Sequence, residues 1–107
     1  GPLFFGFTSH FLNLFKNIDK KIKVLIIRMD RVPHIDQTGL YAMEETLFDL
    51  NKKGLLVVIV GLQSQPEDML RSIDIIPDLI PEKQLFENMD IGLSWLKKEL
   101  NKDMTTH

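Results

Sequence analysis

Two short runs of apolar residues constrain the fold of this 107-residue chain more than any other feature. Residues 24–29 read VLIIRM and residues 55–61 read LLVVIVG, and both runs are rich in β-branched side chains. A strand that is covered on both faces needs near-continuous hydrophobicity of this kind, whereas a strand with one wet face alternates apolar and polar residues. The two runs therefore predict adjacent, parallel, central strands of a sheet that helices cover on both faces.

Helical patterns alternate with these strands along the chain. Residues 38–53 carry a stripe of apolar side chains, and Gly54 is suited to end that helix. The predicted buried stripes are Leu40, Tyr41, Met43, Leu47, Phe48 and Leu50 in this helix, and Ile91, Leu93, Trp95, Leu96 and Leu100 in the last helix. The other predicted elements are a strand at residues 3–5, a helix with apolar positions within 11–18, a short helix beginning near Pro66, a short strand at residues 84–86, and a last helix capped by Asn88 or Asp90. This alternation predicts an α/β fold with a small, mostly parallel β-sheet flanked by helices.

The composition limits the classes of function. The hydrophobic fraction of 44% and the charged fraction of 26% are those of a soluble globular domain. Lysine and arginine number 13 against 15 acidic residues, so the formal net charge of −2 argues against nucleic-acid binding. Cysteine is absent, and the apolar runs fall well short of the roughly 20 residues that span a bilayer. We predict one domain over residues 1–102, followed by a polar tail over residues 103–107.

Sequence signatures of catalysis and metal binding are missing. The chain contains no G-x-G-x-x-G, Walker A, G-x-S-x-G or H-E-x-x-H motif. Its histidines, His10, His34 and His107, do not have the spacing of a metal site. Glu44 and Glu45 are neighbours on a helix, so their carboxylates diverge instead of forming an acid–base pair. We therefore expect no catalytic residue, no metal and no cofactor, and we predict that the chain is not an enzyme.

The segment HIDQTGL, residues 34–40, directly follows the first buried strand and opens a helix. Asp36 is placed to cap that helix, and Thr38 lies at its positive end, where an anion is favoured. Gly39 lacks a Cβ, which allows the first turn to pack closely. In open α/β sheets, functional surfaces lie beyond the carboxyl ends of the strands. Two interpretations stay open on these residues alone, a well-capped helix and a functional loop.

The stretch VLIIRMDRVPHIDQTGL resembles the signature of STAS domains, a family that includes anti-sigma-factor antagonists and the C-terminal domains of SulP-type anion transporters. KKGLLVVIVGL resembles the next strand of that family, and LFENMDIGLSWLKKEL resembles its last short strand and helix. The opening GPLFFG is similar to the first-hairpin segment of transporter STAS domains. The resemblance implies a STAS-like fold whose first strand is missing or trimmed in this chain.

The resemblance to the transporter branch implies a non-catalytic regulatory and protein-interaction domain of a SulP-family transporter of sulfate or a related anion. The alternative is a free-standing anti-sigma-factor antagonist that is switched by phosphorylation. In that branch a Ser or Thr of the motif accepts the phosphate, and the matching residue here is Thr38. His34, Asp36, Gln37, Thr38 and Gly39 are then the candidate loop for a protein partner, an anion or a nucleotide.

The resemblance also implies partners and a location. The partner expected first is the transmembrane domain of the same transporter chain. A cytosolic regulatory protein, a nucleotide and a second copy within a homodimer of the parent transporter are further candidates, whereas nucleic acid is not. The expected location is the cytoplasmic face of the cell membrane. The resemblance further implies that membrane segments outside this sequence choose the transported anion.

Overall fold

The computed structural model describes residues 21–105, with side chains up to Lys102. The predicted strand at residues 3–5, the predicted helix within residues 11–18 and the expected absence of the family's first strand all fall outside the described residues. The domain boundary after residue 102 stays a prediction, and the last helix extends to Thr105.

Strands and helices alternate along the described chain, as the sequence predicts. The first helix is longer than the second, and two short helical turns precede the last strand. In chain order the elements are β1 (Val24–Arg28), α1 (Gln37–Lys52), β2 (Leu56–Val60), α2 (Ser64–Ser72), the helical turns Ile75–Leu79 and Glu82–Gln84, β3 (Leu85–Phe86) and α3 (Met89–Thr105).

The described strands form one parallel sheet in the order β1-β2-β3. Val24 pairs with Leu56 at one end of the β1–β2 ladder and Arg28 pairs with Val60 at the other. Each connection between strands contains a helix, which brings the chain back to the end of the sheet where the previous strand began. The next strand therefore runs parallel to the previous one. The prediction of adjacent, parallel strands is confirmed, and β2 is the middle strand of the part of the sheet that the structure describes.

Helix α1 has a defined signal at each end. At its start Asp36 is in an extended conformation, and its side chain accepts a hydrogen bond from the backbone N–H of Gly39. At its end Gly54 takes a φ of 80°, in the left-handed region that favours glycine. The N–H of Leu55 then reaches the carbonyl oxygen of Leu50 at 3.1 Å, as in a Schellman motif. Both ends agree with the sequence prediction.

The two faces of the sheet carry separate apolar clusters. We call the side covered by α1 and α2 the α1 face, and the side covered by α3 the α3 face. The buried residues of the α1 face are Ile27, Met29, Ile35, Leu40, Met43, Leu47, Leu50, Val57, Ile59, Leu70, Ile75, Ile76 and Ile80. Those of the α3 face are Val58, Val60 and Leu96, with partly buried Val24, Ile26, Leu56, Phe86, Met89 and Trp95 around them. Alternate residues of β1 and β2 thus point to opposite faces, as the pleat requires.

Part of each predicted helical stripe is exposed. In α1, Tyr41 and Phe48 are 50% and 51% exposed, so their predicted burial is wrong. The same correction applies in α3 to Ile91, Leu93 and Leu100. A helix on the surface of a small sheet buries only the side chains that point at that sheet, and neighbours at the flanks of an apolar stripe stay in contact with water.

Arg71 links α2 to the turn before β3. Its guanidinium donates two hydrogen bonds to the carboxylate of Glu82, at 2.6 and 2.8 Å, and one to Glu67 at 2.9 Å. The bidentate bond to Arg71 favours the charged carboxylate, which holds the pKa of Glu82 below its usual range. The same bonds raise the pKa of Arg71 above its usual range.

Candidate functional site

The predicted loop lies where the sequence places it, at the carboxyl end of β1. The backbone N–H of Met29 donates to the carbonyl oxygen of Val60 at 2.9 Å, so the β1–β2 pairing continues one residue past the strand. Beyond this point Gly61 has a φ of 72°, and a Cβ on it would come within 2.8 Å of the Cβ of Asp30. Glycine is therefore needed at the end of β2 to let the loop after β1 pass beside it.

The loop is anchored in the core of the α1 face. Met29, Ile35 and Leu40 are 0%, 1% and 3% exposed, so the backbone is fixed by buried side chains before, within and after the loop. His34, Asp36, Gln37 and Thr38 are exposed between these anchors, and Gly39 is buried. The loop therefore displays polar side chains on a backbone that the core holds in place.

Two glutamines from the start of α2 also hold the loop. The side-chain oxygen of Gln65 accepts a hydrogen bond from the N–H of Ile35 at 2.8 Å, and its Nε2 donates to the carbonyl oxygen of the same residue at 3.0 Å. Gln63 donates from Nε2 to the carbonyl oxygen of Asp30 at 3.0 Å. These three hydrogen bonds, which we call the glutamine clamp, satisfy loop backbone groups that no strand or helix pairs.

Gln63 and Gln65 are not among the site residues that the sequence predicts. The available signal was topological, since the carboxyl ends of adjacent parallel strands meet at one edge of a sheet. Residues that follow β2 are therefore expected beside residues that follow β1. Two amide side chains at Gln63 and Gln65 are suited to bind exposed backbone there, because an amide both donates and accepts.

The first turn of α1 begins at the end of the loop. Asp36 accepts from the N–H of Gly39 at 2.8 Å through its side chain, and from the N–H of Leu40 at 2.9 Å through its carbonyl oxygen. The prediction that Asp36 caps this helix is confirmed. Thr38 is exposed in the first turn, where the helix dipole favours negative charge. Gln37 donates from Nε2 to the hydroxyl of Tyr41 at 3.1 Å, which directs its side chain along the helix.

The charged side chains around the loop, Arg28, Asp30, Arg31 and Asp36, are all exposed to solvent. Arg28 approaches Asp30 with Nε 3.4 Å from Oδ1, and both side chains are largely in water, so their pairing is weak. Within residues 21–105 no group of three or more His, Asp or Glu side chains could hold a metal ion. The arrangement presents hydrogen-bonding groups and a helix N-terminus, which suits docking of a partner or an anion and does not assemble an acid–base pair.

Comparison with known proteins identifies the family. The model of the STAS domain family matches residues 1–90. The chain belongs to the STAS domain family. The matched residues include the loop and every described element up to β3. The alternating strands and helices and the segment Asp36–Gly39 therefore lie within the part of the chain that matches the family.

The relatives of this STAS domain include transport proteins. YvdB of Bacillus subtilis (strain 168), which is named as a candidate sulfate transporter, is 35% identical over 71 residues. That alignment covers 65% of this chain and 13% of YvdB, so the chain spans a small part of the length of this relative.

Two solved structures are similar to this STAS domain. A sulfate transporter family protein from Wolinella succinogenes superposes with a TM-score of 0.81 at 31% identity, covering 94% of this chain and 82% of the other. The SulP transporter STAS domain from Vibrio cholerae superposes with a TM-score of 0.76 at 26% identity, covering 92% and 76%. These likenesses confirm the α/β fold with a parallel sheet. Of the helices within residues 21–105, none combines the length and the apolar character needed to cross a membrane.

Proposed function

We propose that this STAS domain is the regulatory, non-catalytic domain of a SulP-family transporter of sulfate or a related anion. The similarity to the Vibrio cholerae SulP transporter STAS domain and to YvdB supports the transporter branch. The domain would then lie at the cytoplasmic face of the membrane, attached to the transmembrane domain of its own chain. The free-standing anti-sigma-factor antagonist is not favoured, because the relatives named above are transport proteins.

The observation that carries the regulatory role is the exposed loop on a fixed backbone. The loop side chains at His34, Asp36, Gln37 and Thr38 can meet a partner, while the buried anchors keep their geometry independent of that partner. A preorganised surface loses little conformational entropy when it binds. We propose that a cytosolic regulatory protein, a nucleotide, or a neighbouring part of the transporter dimer docks on residues 34–39.

Thr38 is the proposed phospho-acceptor of this loop. A phosphate would add about −1.5 to −2 charges at neutral pH, close to the carboxylate of Asp36. The positive end of α1 attracts that charge and Asp36 repels it, so the fold is expected to survive while the surface potential of the loop changes. A partner that docks on the uncharged hydroxyl would be released.

The test is anion uptake by the full-length parent transporter that carries Thr38→Glu, with Thr38→Ala as the variant that removes the acceptor. Ser94→Glu is the matched control, because Ser94 is exposed on α3 and far along the chain from the loop. We expect Thr38→Glu to change uptake by about fivefold or more, a typical lower size for coupling between sites, and Ser94→Glu to leave it unchanged. Equal uptake in all variants at equal expression would contradict the proposal.

The non-catalytic part of the proposal has its own test. Purified domain incubated with a nucleoside triphosphate should release no phosphate above the background of the buffer. Release that disappears in Asp36→Ala would overturn this reading, because Asp36 would then contribute to chemistry.

A further inference from the structure

A groove separate from the loop lies beside the middle of α1. It has a volume of about 420 Å³ and runs between α1 and the turn Ile75–Leu79. Its apolar lining includes Phe48, which is 51% exposed, together with the half-buried Ile73 and Leu79. An aromatic ring that leaves half of its surface in water beside other apolar side chains can gain stabilisation by covering that surface.

The rim of the groove has one sign of charge. The charged residues that line it within the described part of the chain are Glu44, Glu45, Asp74 and Asp78. Glu45, Asp74 and Asp78 are exposed and Glu44 is half-buried, so their carboxylates border the apolar floor from both sides. Carboxylates on both walls of a cleft focus a negative potential within it.

The backbone fixes the acidic residues on the turn side. Asp74 has a φ of 62°, in the left-handed region, where aspartate is among the few side chains that occur. The N–H of Asp78 donates to the carbonyl oxygen of Asp74 at 3.1 Å, which brings these residues to the same side of the turn. Ile75 and Ile76 are each 1% exposed and hold the turn in the core of the α1 face.

A cation already contacts the aromatic floor from within the chain. The ammonium nitrogen of Lys52 lies 4.9 Å from the centroid of the Phe48 ring. A cation–π contact is therefore favourable at this ring, and within the chain Lys52 provides it. Lys52 is on the next turn of α1 and is not among the residues that line the groove.

We propose that this groove docks a basic amphipathic segment of a protein partner. An apolar side chain of that segment would cover Phe48 and Leu79, and flanking lysine or arginine side chains would pair with the carboxylates of the rim. The charge of the rim selects this occupant, because anionic lipid headgroups and nucleic-acid phosphates would be repelled. The apolar floor distinguishes it from a site for small cations, which have no apolar group to cover Ile73 and Leu79.

The groove is independent of the proposed switch at Thr38. Phe48 lies ten positions after Thr38, which corresponds to about 15 Å along the helix at 1.5 Å per residue, and Glu44, the acidic residue of the rim nearest to Thr38 along α1, lies six positions after it, about 9 Å. Screening at physiological salt reduces the influence of a charge over about 8 Å. A change at Thr38 should therefore alter binding in the groove only slightly, and the two proposals can fail separately.

The test is titration of the full 107-residue chain with a fluorescent peptide of leucines and lysines patterned as an amphipathic helix. Two further peptides replace the lysines by glutamates or the leucines by serines. The groove variant is Glu45→Lys with Asp78→Lys, both at exposed positions. The matched control is Asp68→Lys with Glu87→Lys, both also at exposed positions and with the same change of net charge. A third variant, Phe48→Ser, removes the aromatic part of the apolar floor.

We expect the leucine–lysine peptide to bind saturably and to lose about tenfold or more in affinity in the groove variant, while the control stays within about twofold. The other two peptides should bind the unmodified chain more weakly than the leucine–lysine peptide does. Phe48→Ser should bind the leucine–lysine peptide more weakly than the unmodified chain does. Equal loss in the control, or no saturable binding, would overturn the proposal. Three other results would also overturn the proposal, because each identifies another occupant. Spermine binding as tightly as the peptide would identify a small cation, and groove-dependent binding of phosphatidylserine vesicles would identify a lipid surface. A groove variant that changes only the oligomeric state would identify a second copy of the chain.

Discussion

The two faces of the sheet differ in how much they bury. On the α1 face, side chains from β1, β2, α1, α2 and the turn Ile75–Leu79 form one continuous cluster. On the α3 face the buried residues are Val58, Val60 and Leu96, and large apolar side chains of α3 such as Leu93 and Leu100 are 40% and 44% exposed. The α1 face is therefore the principal core of the described domain, and α3 adds a thinner layer.

This difference explains where the exposed loop is located. Met29, Ile35 and Leu40, which anchor residues 29–40, all belong to the cluster of the α1 face. A loop that displays polar side chains needs buried side chains to fix its backbone. Among the residues described, those buried anchors belong to the cluster of the α1 face. We therefore expect the stability of the domain to reside mainly in the α1 face, and we expect changes on the loop surface to leave that stability unaltered.

The largest effect is expected at the middle strand. Val58→Asp places a charge at a position that is 0% exposed, beneath α3. An unpaired buried charge costs several kcal/mol, which is comparable to the whole stability of a domain of this size. Circular dichroism should show no cooperative melting. Ile22→Asp is the control, since Ile22 is 39% exposed and should tolerate the change. Cooperative melting of Val58→Asp would mean that the α3 face is not a core at all.

A matched pair of truncations compares the two faces directly. Leu47→Ala on the α1 face should lower the free energy of unfolding by about 2–5 kcal/mol, because Leu47 is 1% exposed in a tightly packed cluster. Leu96→Ala on the α3 face should fall at the low end, about 2 kcal/mol, since its half-exposed neighbours can relax around the cavity. Urea denaturation measures both values. An equal or larger loss for Leu96→Ala would contradict the ranking of the faces.

A smaller effect is expected at the helix cap. Asp36→Ala removes the hydrogen bond to the N–H of Gly39 and should cost about 1 kcal/mol, or roughly 4–8 °C in melting temperature. Asp36→Asn keeps an acceptor and should recover most of the loss. A melting temperature for Asp36→Ala equal to that of the unmodified chain would show that the cap does not contribute to the stability of α1.

The smallest effect concerns pH. The bond to Arg71 lowers the pKa of Glu82 in the folded state. The stabilisation that this ion pair gives the fold is therefore fully present above the pKa of Glu82 in the unfolded chain. It is lost as the pH falls through the lower pKa of Glu82 in the folded chain. Glu82→Gln should lower the melting temperature slightly at neutral pH. The difference in melting temperature between this variant and the unmodified chain should become smaller as the pH falls below 4.5, the ordinary pKa of a glutamate side chain. Glu87→Gln controls for the change in net charge. A difference that stays constant into acid would contradict this contribution.

Much of the fold follows from local patterns in the sequence. The apolar runs predict β1 and β2, and Asp36 and Gly54 predict the ends of α1, because capping depends only on residues near each helix end. The width of a buried stripe does not follow, since it depends on how closely a helix lies on the sheet. For this reason Tyr41 and Phe48 were predicted to be buried together with Leu47, although only Leu47 is.

The candidate site was predictable only in the part that depends on residues close together in the sequence. Residues 34–39 are contiguous, and their place after a strand is visible in the sequence. The clamp by Gln65 is not, because it joins residues thirty positions apart through contacts that only the packed sheet creates. The acidic groove likewise combines α1 with a turn whose conformation the sequence did not predict. The role of Thr38 as a phospho-acceptor stays a prediction.

The central claim is that the core and Gln65 hold the loop backbone while Thr38 and its neighbours are free to change. Amide hydrogen exchange at Ile35 tests it most directly, because this N–H donates to Gln65 at 2.8 Å. We expect protection of this amide in the unmodified chain and in Thr38→Glu, and a loss of about tenfold or more in Gln65→Ala. Gln63→Ala should lose none, because the Gln63 side chain donates to the carbonyl oxygen of Asp30 and not to Ile35. Rapid exchange of Ile35 in the unmodified chain, or equal loss in Thr38→Glu and Gln65→Ala, would contradict the claim.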